Sequence, residues 1–240
     1  MFSALKQSPI SLIEAAFTWP KFSMTSFTMI RGLSRQGVTP KTVIDVGANV
    51  GQFAIAAAKT FPGVAVHSFE PNPPCAAKLR ANVASLGNIK VYELALGENE
   101  GKIEFHVNSH SHSSSILPLA KSHLDAFPQA RETSVIPVKV STLDRVFHEV
   151  EMQESVLLKL DVQGYELQVL QGATDFLKRV DFVLLEASFK PMYQGEPLFM
   201  DVEKKMQEFG FEFLRPVGFL RSPKTGEFLQ MDALFQRRRG

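Results

Sequence analysis

Residues 42 to 72 alternate between apolar run and turn so regularly that few folds can accommodate them. Thr42-Val43-Ile44-Asp45-Val46 is a short apolar strand, Gly47-Ala48-Asn49-Val50-Gly51 a glycine turn, and Gln52 to Phe61 a helix stopped by Pro62-Gly63. Val64 to Phe69 is a second apolar strand that runs directly into Glu70. Strand, acid, turn, helix, strand, acid is the order of a nucleoside-binding α/β crossover, in which ligands sit at the carboxyl ends of the strands.

Charge narrows the ligand. A dinucleotide fingerprint, G-x-G-x-x-G, keeps its turn free of acids because backbone N–H groups and a helix N-terminus receive a pyrophosphate there. Here the third glycine is missing, and Asp45 leads into the turn, where a fixed negative charge repels phosphate and attracts an ammonium group. S-adenosylmethionine carries an ammonium and a sulfonium and no phosphate. Glu70, at the end of the second strand, is placed to accept both hydroxyls of a ribose. Taken singly, Asp45 also reads as a helix N-terminal acid and Glu70 as a surface charge; their order favours the cationic donor.

The alternation continues downstream. Pro74 to Leu86 reads as a helix closed by Gly87, Ile89 to Leu94 as a third strand, Ser155 to Asp161 as a further core strand and Glu166 to Leu177 as a helix. Phe182 to Glu186 is another strand ending in an acid, and Phe199 to Phe209 a helix capped by Gly210. Phe211 to Leu214 and Phe228 to Phe235 form an antiparallel pair around Gly226. Between these, Lys102 to Val107 and Val135 to Val140 are extended, separated by the polar loop from Asn108 to Ser115. The sum is a mostly parallel seven-stranded α/β sheet with an antiparallel last strand and helices on both faces. Residues 4 to 36 have the spacing of two short amphipathic helices that pack on the main domain, cover substrate or mediate a dimer. The expected organisation is one domain over 1–240, with a helical cap to residue 40, a core from 41 and an insertion over 102–140.

With 240 residues and 45% hydrophobic content, the chain can bury one substantial core. Lys plus Arg number 26 against 25 for Asp plus Glu, so no general field draws in nucleic acid, and the basic run Arg237-Arg238-Arg239 reads as a solvated tail. No stretch approaches the roughly 18 apolar residues of a membrane helix. The lone Cys75 excludes an internal disulfide and fits a reducing compartment, the cytoplasm by default.

Six segments together resemble the FkbM family of methyltransferases. They are Val43 to Gly51, Phe69-Glu70-Pro71-Asn72, Ala95-Leu96-Gly97, Ser141-Thr142-Leu143-Asp144, Leu158-Lys159-Leu160-Asp161-Val162-Gln163-Gly164-Tyr165-Glu166, and Leu170-Gln171-Gly172-Ala173. The resemblance implies a Rossmann-like fold that binds S-adenosylmethionine and methylates an oxygen of a sugar or another hydroxyl-bearing small molecule. By the same resemblance, Asp45, Gly47, Asn49 and Gly51 line the methionine end of the donor, Glu70 and Asn72 hold the ribose, and Ala95 and Leu96 lie against the adenine. Asp161 faces the reactive methyl. One position departs: the family pattern K-x-D-x-E-G has an acid where this chain has Gln163. An amide keeps the reach of a carboxylate but loses its charge and its capacity as base or hard metal ligand.

A hydroxyl is a poor nucleophile near neutral pH, so a general base is expected. Asp161 is the best placed candidate, with a role in orienting the donor as its rival. His110 and His112 lie in the polar loop and titrate near neutrality, though an exposed loop explains them equally. A hard cation shared by Asp161 and Glu186 is the weaker option, and the histidine spacing specifies no zinc; no metal is assigned. Trp19, Phe189 and Tyr193 are candidate platforms for a sugar. The expected partner is a small-molecule or glycan acceptor, with no nucleic acid and no membrane span; a homo-oligomer is compatible. Two other readings stay open: a donor-binding scaffold whose catalysis has decayed at Gln163, and an NAD-dependent dehydrogenase.

Overall fold

The computed structural model describes residues 11–108, 113–130, 132–147 and 152–238. Its main sheet has seven strands: β1 (Thr42–Val46), β2 (Ala65–Phe69), β3 (Ile89–Tyr92), β7 (Val156–Leu160), β8 (Phe182–Ser188), β9 (Phe211–Arg221) and β10 (Phe228–Arg237). They lie in the order β3-β2-β1-β7-β8-β10-β9. β1 pairs in parallel with β2 on one side and β7 on the other. Strand order therefore reverses between β1 and β7, which opens a crevice at their carboxyl ends. The last strand, β10, runs antiparallel between β8 and β9, as its sequence position implied.

Helices α3 (Gln52–Thr60) and α4 (Pro73–Val83) connect the first three strands. Side chains alternate faces along each strand, so the sheet carries two cores. Val43, Leu157, Leu184 and Leu234 face a cluster that takes in Phe53 and Ile55 of α3. Phe27, Ile30 and Leu33 of α2 (Met24–Arg35) join the same cluster. Ile44, Val46, Leu158, Leu160 and Leu185 face the opposite cluster, with Leu170 of α7 (Glu166–Gln171) and Met206 of α8 (Phe199–Glu208). α1 (Leu12–Thr18) starts where Ser11 Oγ accepts the Glu14 amide, and α2 where Ser23 Oγ accepts that of Ser26. Trp19 and Phe27 are buried against each other and Phe22, so Trp19 is core rather than a sugar platform. No helix among the described residues is long and apolar enough to cross a membrane.

A second, three-stranded sheet departs from the sequence reading. The third strand ends at Tyr92, and Ala95–Leu96 forms a separate β4 that pairs in parallel with β6 (Glu132–Ser141). β5 (Gly101–Asn108) pairs antiparallel with β6. Ala95, Phe105 and Val138 form its core. Two short helices, α5 (Lys121–Ala126) and α6 (Leu143–Phe147), lie where no helix was expected.

The helix expected to run to Leu177 stops at Gln171, and a 3-10 turn follows at Phe176–Arg179. The cause is a tertiary contact. A Cβ on Gly172 would lie 2.0 Å from the carbonyl oxygen of Gly97, so the chain passes here at a distance only glycine permits. Asp144 then anchors the new turn, its Oδ1 accepting the amides of Asp175 at 3.0 Å and Phe176 at 2.7 Å. Gly172→Ala is expected to cost about 1–3 kcal/mol through overpacking. Gly87→Ala, where an added Cβ meets open space, should change stability by less than about 1 kcal/mol. Urea midpoints of the two variants check the contrast.

Candidate functional site

The crevice between β1 and β7 is built over a buried ion pair. Asp45 and Lys159 are register partners on adjacent parallel strands. Both project to the α3 side, where Lys159 Nζ lies 5.3 Å from the Phe53 ring centroid. Nζ is 3.2 Å from Asp45 Oδ1 and 3.1 Å from Asp161 Oδ2, and it donates to Gly47 O at 3.5 Å. The Asp45 side chain has no accessible surface, and neither of its oxygens has an aligned hydrogen-bond donor. Burial pushes its carboxyl up from the ordinary range and Lys159 pulls it back. Burial also works against the Lys159 ammonium, but Asp161 and Asp45 outweigh it and hold Lys159 charged.

The glycine turn rests on this base. Gly47 has a φ of 79°, and a Cβ there would meet Asp161 O at 1.9 Å. Gly51 caps α3 in the left-handed region, φ 93°, and a Cβ would strike Leu79 at 2.4 Å. Glu70 ties the turn to the end of β2: Oε2 accepts the Asn49 amide at 2.7 Å and Oε1 the Asn72 amide at 2.9 Å. Each carboxylate oxygen has a second lone pair, so these bonds leave acceptor capacity for hydroxyls. Burial raises Glu70 to about 7 despite the two amides. Asn72 Oδ1 is buried without a partner.

The end of β7 forms the other wall. Asp161 is followed by Gln163 with φ 59° and Gly164 with φ 92°. This turn is clasped by Glu166, whose Oε1 accepts the amides of Val162 at 3.1 Å and Gly164 at 3.3 Å. Burial lifts Glu166 to about 8. Gln163 Nε2 donates to Asp161 Oδ1 at 2.6 Å and to Glu186 Oε2 at 2.9 Å. The buried Tyr193 hydroxyl donates to Gln163 Oε1 at 2.5 Å, which fixes the amide with its nitrogen between the two carboxylates. Burial holds that phenol well above its usual range, so it stays a donor. Asp232 lies directly across from Glu186 on β10, and burial lifts it to about 6. Burial, with Asp161 and Asp232 nearby, pushes Glu186 well up too.

Gly47, Asn49, Glu70, Ala95, Leu96 and Asp161 line one narrow cleft. Phe69, Leu94, Phe105 and Ile116 give it an apolar wall, with Ser114 and Gln163 as further polar lining. Three other expected site residues do not line it: Asp45 lies beneath the turn, Gly51 packs on Leu79, and Asn72 stands behind Pro71. His110 and His112 lie outside the described residues. A second cleft of about 1180 Å³ continues past Gln52 and Phe53 to Lys159, Asp161, Glu186 and Asp232. Between Asp161 and Glu186, the two acids considered for a shared cation, lies the Gln163 amide nitrogen. Among the described residues no group of three His, Cys, Asp or Glu side chains is arranged to hold a metal. Tyr193 is enclosed and offers no sugar platform, whereas Phe189 is 39% exposed and leans on Phe199. Lys159 carried a legible signal, one charge inside the apolar strand Val-Leu-Leu-Lys-Leu.

A strand-order reversal, a carboxylate at the end of β2 and an antiparallel strand inserted before the edge define a Rossmann-like methyltransferase. The family model of the FkbM methyltransferase domain matches residues 45–213, and the chain belongs to that family. Its methyl donor is S-adenosylmethionine. The chain is 28% identical to the 2-O-methyltransferase NoeI of Sinorhizobium fredii, over 64% of this chain and 66% of that protein. It is also 28% identical to the hexuronic acid methyltransferase AglP of Haloferax volcanii, over 66% of this chain and 60% of that protein. A third or more of each relative lies outside the match. The fold is shared with magnesium protoporphyrin IX methyltransferase (ChlM) of Synechocystis PCC 6803, at a TM-score of 0.52 and 12% identity, over 89% of this chain and 82% of that one.

Removing Lys159 strands a carboxylate with no accessible surface, so Lys159→Met should cost about 3–5 kcal/mol. Asp45→Asn in the same chain should restore part of it, which a double-mutant denaturation cycle measures. Glu70 carries a pH signature of the opposite kind to a salt-bridged acid. Its folded value, about 7, stands above its ordinary 4.5, so the unfolded chain loses this proton first. Stability falls as pH rises from about 4.5 to 7, by an amount of order 3 kcal/mol, and levels off above. The wild type should therefore lose stability relative to Glu70→Gln across that window, read from urea midpoints at several pH values.

Proposed function

We propose that this protein transfers the methyl group of S-adenosylmethionine to a hydroxyl of a sugar, glycan or small metabolite. The carrying observation is the continuity of the two clefts: an apolar slot with Glu70 at its side opens into a chamber with three carboxylates and one ammonium. The slot suits an adenine between Leu94, Ala95, Leu96, Phe105 and Ile116, recognised by apolar contact and backbone groups. The remaining lone pairs of Glu70 suit a ribose. The carboxylate excess around Asp161 suits a sulfonium and an ammonium and disfavours the phosphates of a dinucleotide. Asp45 contributes from below, as the counter-charge that holds Lys159 and the turn in place.

When bound, S-adenosylmethionine supplies an electrophilic methyl and an excellent leaving group. What the chain must add is alignment and exclusion of water, for which effective molarities of about 10⁵–10⁸ M are typical of well-oriented groups. Asp161, held by Lys159 and Gln163 at once, is the rigid element nearest the junction of the clefts. The names of NoeI and AglP, one a 2-O-methyltransferase and one a hexuronic acid methyltransferase, support an oxygen acceptor on a sugar. A cytoplasmic setting agrees with a single, buried cysteine. The decayed-scaffold reading draws on Gln163, yet its amide is bonded on three sides and works as a neutral brace between acids.

Titration calorimetry with S-adenosylmethionine tests the assignment. The wild type should bind, and Glu70→Ala combined with Asp45→Ala should weaken binding at least about tenfold, the loss of one or two charged hydrogen bonds. No binding by the wild type, or unaltered binding by the double variant, removes the assignment. Gln163→Glu places a third carboxylate between two others and should lower turnover; turnover gained only in that variant would establish the decayed reading instead.

A further inference from the structure

One titratable side chain at the site has no part in the mechanism above. His123, on α5, is 6% exposed and packs edge-on against Tyr193, with ring centroids 5.6 Å apart. With Phe127 and Gln129 it borders a cleft of about 880 Å³ whose far side is formed by Asp161, Gln163 and Glu186. This cleft meets the donor slot at Asp161 and Gln163. Nδ1 of His123 is enclosed and has no hydrogen-bond partner, which leaves Nε2 as the ring nitrogen with accessible surface.

We propose that the cleft between α5 and the ends of β7 and β8 is the acceptor subsite, that it takes an uncharged sugar, and that His123 removes the proton of the hydroxyl being methylated. The proposal rests on the methyl-transfer reading and deepens it. The lining described here contains no Lys or Arg, while Asp161 and Glu186 face into it. Among the described lining residues an anionic uronate would find no Lys or Arg, whereas a hexose would find amides for its hydroxyls and the half-buried Phe127 ring for its C–H face. Among the described residues, the charged and titratable groups near His123 are Lys121 and Asp125 on its own helix, Lys224 bonded to the Asp125 carbonyl, Tyr193 packed on the ring, and the two acids across the cleft. No carboxylate is bonded to the ring, and burial holds its pKa below the ordinary histidine range, so the imidazole is neutral at pH 7; for Nε2 to accept a proton, the ring N–H sits on Nδ1, inside the protein.

The step balances without a further reactant. The Nε2 lone pair takes the hydroxyl proton as the oxygen forms a bond to the methyl carbon. The carbon–sulfur bond breaks with its electron pair retained on sulfur, giving S-adenosylhomocysteine, and the imidazolium then releases its proton to water.

The test uses the full chain with ¹⁵N-labelled histidine, in complex with S-adenosylhomocysteine. His123 is identified among the six histidines by the signal missing in His123→Asn. Its ring nitrogens should titrate below the ordinary value near 6.5. They should shift on addition of methyl hexopyranosides and stay unmoved by methyl glucuronoside. With a hexoside that is methylated, His123→Asn and His123→Gln should lower kcat by about 10²-fold or more. They should also flatten the acid limb, along which wild-type kcat rises as His123 deprotonates, and leave the affinity for S-adenosylmethionine unchanged. His123 signals unmoved by every hexoside, or variants with wild-type kcat, overturn the proposal while donor binding stands. A wild type that binds no S-adenosylhomocysteine fails earlier, at the donor reading itself.

Discussion

The contact between Asp45 and Lys159 is the constraint on which the rest of the site depends. Two opposite charges face each other across neighbouring parallel strands, where the order of the parallel strands reverses. Neither could be buried alone, since an isolated charge in a protein interior costs several kcal/mol even after relaxation. Lys159 then spends its remaining bonding capacity on Gly47 O and Asp161 Oδ2, and so joins the first turn to the second. The near approach of Gly47 to the Asp161 carbonyl expresses the same junction in the backbone. One ammonium thus positions both loops that flank the crevice.

Around that ammonium the structure gathers more acid than it neutralises. Glu70, Glu166, Glu186 and Asp232 are all raised, chiefly by burial. Such a set is poorly stabilised without a ligand, and a cationic ligand relieves it by letting carboxylates ionise. Functional sites are commonly where proteins tolerate groups held away from their ordinary pKa. On the proposed reading, the desolvation that makes Glu70 costly in the free protein would also strengthen its hydrogen bonds to a ribose.

Much of the donor half was legible in the sequence because it is local. A strand that ends in an acid, a turn that needs positive φ at Gly47 and Gly51, and a second strand that ends in Glu70 are each contained within a few residues. Period-two and buried-strand patterns likewise located the main sheet and its antiparallel end. What escaped depended on distance along the chain. The helix read over residues 166–177 stops at Gln171, where Gly172 follows as the C-cap and lies against the carbonyl of Gly97. Asp45 carried the right charge for a cation, but its partner sits more than a hundred residues away, and only the strand register shows that the cation is Lys159. The extended runs of β5 and β6 were legible, but their closure into a second sheet escaped because β4, which pairs with β6, is two residues long. His123 had no signal at all: a lone histidine in a six-residue helix acquires meaning only from the cleft it borders.

The acceptor half is arranged by a different physical logic. Where the donor half sets carboxylates against one ammonium, the groups that meet at the junction are neutral hydrogen-bonders: the Gln163 amide, the Tyr193 phenol that fixes it, and an imidazole held uncharged by burial. An acid at position 163 would carry the negative field of the donor side into the acceptor cleft, between Asp161 and Glu186. The amide adds no charge there and bridges the two acids, since Nε2 donates to both carboxylates and Oε1 accepts from the phenol. The departure from the family pattern at Gln163 therefore sets a neutral hydrogen-bonder between two carboxylates, at the point where, on the proposed reading, the donor and acceptor clefts meet.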